Sequence, residues 1–325
     1  MIQNKKILIT GGLGFIGSNL ARSLVSMGNQ VTVIDSLIPE YGGNLRNLHD
    51  LRDKVVVNLS DVRDPFSINE LIKGQDYLFN LAGQTSHLDS MNDPFTDLDI
   101  NAKAQLSILE ACRKNNRDIR IVFASTRQIY GKPQYLPVDE KHPLCPVDIN
   151  GINKIAGEQY HLLYNQVHEI RSSVLRLTNT YGPRMRIKDA RQTFLGIWIR
   201  NLLEGKLIQV YGDGQQRRDY NYVDDLVDAL IIAATENKAI GGVYNLGALN
   251  PMSLSETASI MCHGIKGASW NLVPFPKERK AIDVGDFICD YSSFCSAFGW
   301  EPKIKFEEGI KRSLKYFRSE LEHYI

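Results

Sequence analysis

The sequence has few of the features that mark secreted, metal-binding or membrane proteins. Its five cysteines are odd in number and form no Cys-x-x-Cys pair, so neither a disulfide framework nor a thiolate zinc site is predicted. No apolar run reaches the roughly 18 residues of a membrane span. Residues 1–6 lead directly into an apolar strand pattern and contain no signal-peptide core. We therefore expect a cytoplasmic protein without a bound metal.

The chain also has little excess of either charge. Lys and Arg number 38 against 37 Asp and Glu, for a net charge of +1, so the electrostatics do not favour nucleic acid or a membrane surface as a partner. There is no internal repeat or low-complexity run. With 325 residues, 43% of them hydrophobic, the chain is long enough to bury a large core.

Short apolar strands alternate with helix-patterned segments along most of the chain. The strand candidates are residues 6–10, 30–34, 55–58, 77–82, 119–124 and 172–177, and the longest helix candidates are 94–115 and 148–167. This alternation predicts an α/β fold with a Rossmann-type, doubly wound parallel sheet. After Gly182-Pro183 the composition changes, which indicates a smaller C-terminal α/β lobe. We predict one domain of residues 1–179 and 220–248, and a lobe of 180–219 and 249–325.

A glycine-rich loop follows the first predicted strand. Gly11, Gly14 and Gly17 allow a tight turn, close approach of a pyrophosphate to the main chain, and close packing of the next helix. The second predicted strand ends in Asp35, 18 residues after Gly17, where a carboxylate can accept both hydroxyls of an adenosine ribose. A 2′-phosphate would be repelled there, so the predicted ligand is NAD and not NADP.

Several further motifs follow in order. They are Asp61-Val62, Leu81-Ala82-Gly83, Asn101, Ser125-Thr126, Ile129-Tyr130-Gly131, the segment 176–183 and the segment 218–225. With these motifs the chain resembles the extended short-chain dehydrogenase/reductases, specifically the nucleotide-sugar epimerases and dehydratases. The resemblance implies the following NAD contacts: Gly11, Gly14, Phe15, Ile16, Gly17, Asp35, Asp61, Val62, Leu81, Ala82, Gly83, Asn101 and Lys154.

The resemblance also implies hydride transfer to and from a sugar carbon, usually C4, assisted by a Tyr-x-x-x-Lys pair. Lys154 matches the lysine, but Asn150 stands at the tyrosine position, and an amide neither accepts nor gives up a proton near pH 7. Thr126 remains as a hydrogen-bonding hydroxyl. His87 and Tyr130 are the two candidates for a replacement base, and His87 titrates in a suitable range.

Further residues are implied by the resemblance to contact the substrate, a nucleotide-diphosphate sugar. They are Ser125, Thr126, Arg127, Asn179, Arg191, Arg218 and Asp283. The similar 4,6-dehydratases carry Asp-Glu after the threonine, whereas this chain has Arg127-Gln128, which argues against standard 4,6-dehydration. The helices 94–115 and 148–167 are those that pair in the family's homodimers, so a homodimer is expected.

Three hypotheses for the function follow. The leading one is an NAD-dependent enzyme that epimerises C4 of a nucleotide-diphosphate sugar through a transient keto sugar. The second is an atypical dehydratase or dehydrogenase of such a sugar, with a base other than tyrosine. The third is a catalytically silent protein that binds NAD and a nucleotide sugar.

Overall fold

The computed structural model describes residues 2–325. Its strands are β1 Lys6–Thr10, β2 Gln30–Ile34, β3 Val55–Asn58, β4 Tyr77–Asn80, β5 Arg120–Thr126, β6 Arg171–Leu177, β7 Asn179–Tyr181, β8 Ile208–Tyr211, β9 Arg217–Arg218, β10 Tyr220–Tyr222, β11 Val243–Leu246, β12 Met252–Ser253 and β13 Trp270–Val273. Seven of these form one parallel sheet in the order β11-β6-β5-β4-β1-β2-β3. The chain therefore builds outward from β1 through β2 and β3, then returns to β4 on the other side of β1. This reversal of strand order leaves a crevice at the carboxyl ends of β1 and β4.

Helices cover both faces of this sheet. The helices of the described residues, including those outside this sheet, are α1 Phe15–Ser26, α2 Pro65–Leu71, α3 His87–Asn92, α4 Pro94–Leu98, α5 Ala104–Asn115, α6 Ile149–His168, α7 Phe194–Leu203, α8 Val223–Thr235, α9 Leu254–Cys262, α10 Lys277–Ala281, α11 Ser292–Phe298 and α12 Phe306–Glu320. Helices α2, α5 and α6 share one face, while α1 and α8 pack together on the other. None of the helices within residues 2–325 has the length and apolar character that a membrane crossing requires.

The core follows from the alternation of side chains along strands that are buried on both faces. In β1, Leu8 packs into the apolar cluster beneath α2 and α5. Its neighbours Ile7 and Ile9 point into the cluster beneath α1 and α8. All three are fully buried, because helices cover both sides of a parallel sheet and each strand must be apolar on both faces.

The predicted elements agree with the structure to within one residue except in three places, the first being β5, which is predicted at 119–124 and runs from Arg120 to Thr126. The predicted helix 94–115 is divided into α4, a π-helical segment Asp99–Lys103, and α5. The predicted strand 77–82 ends at Asn80, so residues 81–83 form the loop at the crevice. Strand β11 pairs with β6 at the edge of the main sheet, while β8 and β13 pair with each other outside it. The exact boundaries of the smaller lobe remain a prediction.

Candidate active site

The glycine-rich loop lies between β1 and α1 at the crevice and lines a deep cleft there. Gly11 has φ +69, and a Cβ on it would lie 3.0 Å from the backbone of Ala82. A Cβ on Gly17 would lie 2.3 Å from the carbonyl oxygen of Gly11. At Gly14, which precedes α1, no side chain caps the helix. The first amides of α1 are thus left for an anion in the cleft, as dinucleotide phosphates require.

Asp35 and Asp61 line the end of the cleft beside β2 and β3. The carboxylate of Asp35 accepts the amide hydrogens of Leu13 at 3.0 Å and Leu37 at 2.9 Å, which holds the carboxylate in place at the end of β2. Burial raises the pKa of Asp35, and these amides oppose that rise. Asp61 forms a paired contact with Arg63, at 2.9 and 2.7 Å, and the Arg63 guanidinium lowers the pKa of Asp61.

Lys154 lies on α6 at the other end of the cleft. Its ammonium donates to the carbonyl of Ala124 at 3.1 Å and lies 5.0 Å from the centre of the Phe123 ring. The residue is 6% exposed, and burial lowers the pKa of Lys154 to about 8. A buried ammonium without a paired carboxylate is costly to the fold.

Twelve of the thirteen predicted NAD contacts line this cleft: Gly11, Gly14, Phe15, Ile16, Gly17, Asp35, Asp61, Val62, Leu81, Ala82, Gly83 and Lys154. Asn101 does not. It lies in the π-helical segment and is buried, and its amide donates to the carbonyl of Gln84 at 2.9 Å. Asn101 therefore supports the loop after β4 from behind, a role that its place in the sequence did not reveal.

Asn150 lies in the first turn of α6 and also lines the cleft. Its side-chain nitrogen donates to the carbonyl of Gln84 at 2.7 Å and to the carboxylate of Asp97 at 3.1 Å. Its backbone amide donates to the hydroxyl of Ser90 at 3.2 Å. Asn150 thus joins α6 to the segment 84–97, which carries His87. Both donor hydrogens of the amide are used inside the protein, so its role here is to hold that segment.

His87 begins α3 and lies beside the residue that caps α6. Its Nδ1 is 3.0 Å from Oδ2 of Asp148, although the ring is turned away from a straight hydrogen bond. Asp148 is fully buried; its other oxygen accepts the amide of Gly151 at 2.7 Å. Burial opposes ionisation of Asp148, yet His87 and the Gly151 amide lower the pKa of Asp148 overall.

The exposed part of His87 faces the cavities. Nδ1 is sealed from solvent, while the side chain as a whole is 33% exposed, so the accessible edge of the ring is the one that carries Nε2. His87 lines the cleft together with Thr126 and Lys154. One nitrogen of the imidazole thus lies beside a buried carboxylate, and the opposite edge of the ring faces the cleft.

The structure does not bring Tyr130 to this place. Its hydroxyl donates to Asn245 and accepts from Arg176, each at 2.7 Å, and the residue is fully buried beside Phe287. Burial raises the pKa of Tyr130, which opposes formation of a phenolate. Of the two replacement bases that the sequence offers, the structure brings only His87 to the cleft within residues 2–325.

The two hydroxyl residues at the end of β5 differ in what they can do. Ser125 lines the cleft, but its hydroxyl donates to the buried carboxylate of Glu158 at 2.9 Å. The Thr126 oxygen accepts the amide of Gln128 at 3.2 Å, which leaves the hydroxyl hydrogen of Thr126 available to a ligand. Thr126 is thus the better placed of the two to donate a hydrogen bond to a substrate.

A second cavity adjoins the cleft and is lined by the remaining predicted substrate residues: Arg127, Asn179, Arg191, Arg218 and Asp283. Arg218 is buried, and burial lowers its pKa. Its guanidinium lies 3.6 Å from Asp283, whose carboxylate accepts from Gln216 at 2.6 Å. Arg279 adds a further cation that sequence reasoning missed. Four arginines and three aspartates, Asp89, Asp189 and Asp283, line the cavity, and the guanidinium groups are suited to bind an anionic ligand.

Asp148, which contacts His87, is a residue of the site that sequence reasoning missed. It lies 61 positions after His87, so no local pattern links the two. Aspartate before a predicted helix is also explained by capping alone. As for metals, no group of three or more His, Cys, Asp or Glu side chains within residues 2–325 is arranged as a metal site.

The fold and the cleft agree with the proteins to which this chain is similar. Residues 7–247 match the model of the "NAD dependent epimerase/dehydratase family". A Methanocaldococcus jannaschii protein, provisionally named a UDP-glucose 4-epimerase, is 33% identical over 96% of this chain and 98% of its own. A UDP-N-acetyl-alpha-D-glucosaminuronate decarboxylase of Bacillus cytotoxicus is 30% identical over 97% and 98%. The structure of a Thermotoga maritima UDP-glucose 4-epimerase with UDP-glucose superimposes with a TM-score of 0.88 at 29% identity, covering 97% of this chain and 99% of that one. The chain therefore belongs to the NAD-dependent epimerase/dehydratase family, and its cofactor is NAD.

Proposed function

We propose that this protein binds a nucleotide-diphosphate sugar next to NAD and inverts C4 of the sugar through a transient keto sugar. The observation that carries the proposal is the contact between His87 and Asp148 where the two cavities meet. It supplies a proton acceptor beside Thr126 and Lys154, although the tyrosine position holds Asn150. The relatives named above support the nucleotide-sugar part of the proposal.

In this proposal each residue of the chain has one task. NAD supplies the hydride acceptor and donor at the sugar carbon. Nε2 of His87 takes the proton of the sugar hydroxyl as the C–H bond breaks and returns it when the bond re-forms, while Asp148 stabilises the imidazolium. Thr126 donates a hydrogen bond to the same sugar oxygen, and the Lys154 ammonium binds the ribose of the cofactor.

The residues after Thr126 favour epimerisation over 4,6-dehydration. Dehydration needs an acid and a base for C6 and C5 of the sugar, and Arg127 and Gln128 supply neither at neutral pH. The amide of Gln128 is also engaged, donating to Asp148 at 2.7 Å. Epimerisation at C4 needs no such pair.

The test is turnover of candidate sugars by the purified protein and by His87→Asn. UDP-, dTDP-, GDP- and CDP-hexoses are incubated with NAD-loaded protein, and the products are followed by NMR. We expect C4 epimerisation of at least one sugar, with a rate about 10²–10⁴-fold lower in His87→Asn and unchanged NAD affinity. The matched control, His263→Asn, changes an exposed histidine at the end of α9 and should retain the full rate.

Two results would contradict the proposal. Binding of nucleotide sugars without turnover of any of them would favour the silent binder, and full activity of His87→Asn would remove His87 as the base. An Asp148→Asn variant separates the partners, because asparagine can still cap α6 but carries no charge. We expect it to lose activity by less than His87→Asn does.

We also propose that the protein forms a homodimer through α4 and α6. Large apolar side chains are exposed on these helices, among them Phe95 at 76%, Ile152 at 50%, Leu163 at 52% and Val167 at 59%. An exposed apolar surface of this kind on two packed helices is typical of a protein interface.

A further inference from the structure

We propose that the sugar of the substrate carries a carboxylate, as in a hexuronic acid, and that Arg127 is the residue that binds it. The inference rests on the proposed function and names the class of sugar within it. No contact so far assigned to the NAD or to the diphosphate uses this arginine.

Arg127 lies where the two cavities meet. Five side chains line both the cleft and the second cavity: His87, Arg127, Asn179, Gln192 and Thr193. A ligand that joins a nucleotide in the second cavity to the reacting carbon in the cleft must place its sugar among these five. Within residues 2–325, Arg127 is the one permanently charged member of this set.

The guanidinium of Arg127 is held in place but not neutralised. Nη2 donates to Asn179 Oδ1 at 3.3 Å, and the ring of Phe287 lies 5.3 Å away. Nη1 is sealed from solvent and has no hydrogen-bond partner among the described residues. Burial lowers the pKa of Arg127 to about 10, so the group still carries its charge at pH 7.

Two of the other three arginines of the second cavity have acidic partners, and Arg279 is the exception among the described residues. Arg191 lies 3.5 Å from Asp89 and 3.7 Å from Asp189, and Arg218 lies 3.6 Å from Asp283. For Arg127, by contrast, no Asp or Glu oxygen of residues 2–325 lies within 4.0 Å. A buried guanidinium without a carboxylate partner costs folding free energy, unless an anionic group of the ligand pairs with it.

Three acids influence Arg127 from more than 4.0 Å away without pairing with it: Asp219, Asp283 and Asp148. Asp219 is fully buried, and neither of its carboxylate oxygens has a hydrogen-bond partner in the described part of the chain. Burial raises the pKa of Asp219 to about 6, against the opposing effect of Arg127. Asp219 is sealed inside the protein and lines neither cavity, so it does not compete for a ligand at the junction.

The position of Arg127 favours the sugar over the diphosphate as its target. Arg218 and Arg279 line the second cavity alone and can meet the two phosphate charges. Arg127 directly follows Thr126, which lines the cleft at the reacting end. A guanidinium at that place suits a carboxylate as a charged hydrogen-bond donor, and the flanking Thr126 and Gln128 carry no charge that would repel it.

The test compares a sugar acid with the neutral sugar on one nucleotide. Calorimetry on the NAD-loaded protein first ranks UDP, dTDP, GDP and CDP, and the glucuronate and glucose derivatives of the tightest diphosphate are then titrated. We expect the glucuronate to bind about 10- to 100-fold more tightly than the glucose derivative, the range of a charge-assisted hydrogen-bond pair. In Arg127→Gln this preference should vanish, while the free diphosphate binds as it does to wild type. Arg127→Lys should recover part of the preference.

The matched control is Arg279→Gln, which should weaken the free diphosphate and both sugars by the same factor. Equal affinity of the wild type for glucuronate and glucose would overturn the inference, and so would an equal loss of all three ligands in Arg127→Gln. Failure to bind any of the four diphosphates would instead refute the proposed function on which the inference rests.

Discussion

Replacing Lys154 by methionine should stabilise the protein in the absence of NAD while abolishing NAD binding. The side chain is buried, and burial lowers its pKa from 10.5 to about 8. At pH 7 the ammonium is charged in both the folded and the unfolded chain. Since a tenfold change in proton affinity is worth ~1.4 kcal/mol, holding that charge inside costs about 3 kcal/mol.

Methionine removes this cost but also removes one contact. The hydrogen bond from Nζ to the carbonyl of Ala124 is worth about 1 kcal/mol. Methionine otherwise fills a similar volume. We therefore expect Lys154→Met to raise the free energy of unfolding by about 2 kcal/mol at pH 7.

The gain should depend on pH in a defined direction. Because the pKa is lowered on folding, the folded wild type binds fewer protons than the unfolded chain between pH 8 and 10.5. The wild type is therefore stabilised as the pH rises through that interval, and the advantage of the variant shrinks. Near pH 9.5 the two proteins should differ by roughly 0 kcal/mol.

Urea unfolding of both proteins without NAD, at pH 7 and pH 9.5, measures these free energies, and calorimetry measures NAD affinity. The control is Lys103→Met, which changes a lysine whose side chain is 76% exposed and should alter stability by less than about 0.5 kcal/mol at either pH. A Lys154→Met protein that is less stable at pH 7, or equally stabilised at both pH values, would refute the reasoning.

Two further predictions concern the core and the assembly. Arg176→Met should lower the free energy of unfolding by about 3–5 kcal/mol, because Glu158, fully buried and 3.1 Å from Nε of Arg176, would lose its countercharge. Urea unfolding measures this, with the double variant that adds Glu158→Gln recovering part of the loss; a loss below about 1 kcal/mol in the single variant would contradict it. Phe95→Glu, at a side chain 76% exposed on α4, should shift the protein toward monomers in analytical ultracentrifugation, whereas Phe66→Glu, 82% exposed on α2, should not. A monomeric wild type would refute the proposed dimer.

Much of the fold could be predicted because its signals are local. Apolar runs such as residues 6–10 and 30–34 become strands with the same bounds, since a strand buried on both faces must be apolar throughout. The helix predicted at 148–167 forms at Ile149–His168. The interruption of the helix predicted at 94–115 left no such signal, because a π-helical turn inserts one residue without changing the apolar pattern strongly.

The cofactor cleft could be predicted for a similar reason. Its three glycines lie in one short segment between β1 and the start of α1, and Asp35 directly follows the neighbouring strand β2. Residues with this spacing in the sequence therefore lie close together in space. Asn101 shows where this reasoning stops. The resemblance implied that Asn101 contacts the cofactor, but in the structure it lies behind the loop, where its amide donates to the carbonyl of Gln84.

The sequence by itself determined the α/β fold and the position of the glycine-rich cleft, and it predicted that Asn150 stands where the resemblance implies a tyrosine. Only the tertiary structure shows that His87 lines the cleft and Tyr130 does not, because the burial of a loop residue after β4 or β5 is not encoded in local spacing. It gave Tyr130 buried partners and His87 the carboxylate of Asp148. It also left Arg127 without a countercharge within residues 2–325. These outcomes depend on residues far apart in the chain, which meet only when the parallel sheet brings its strand ends to one edge.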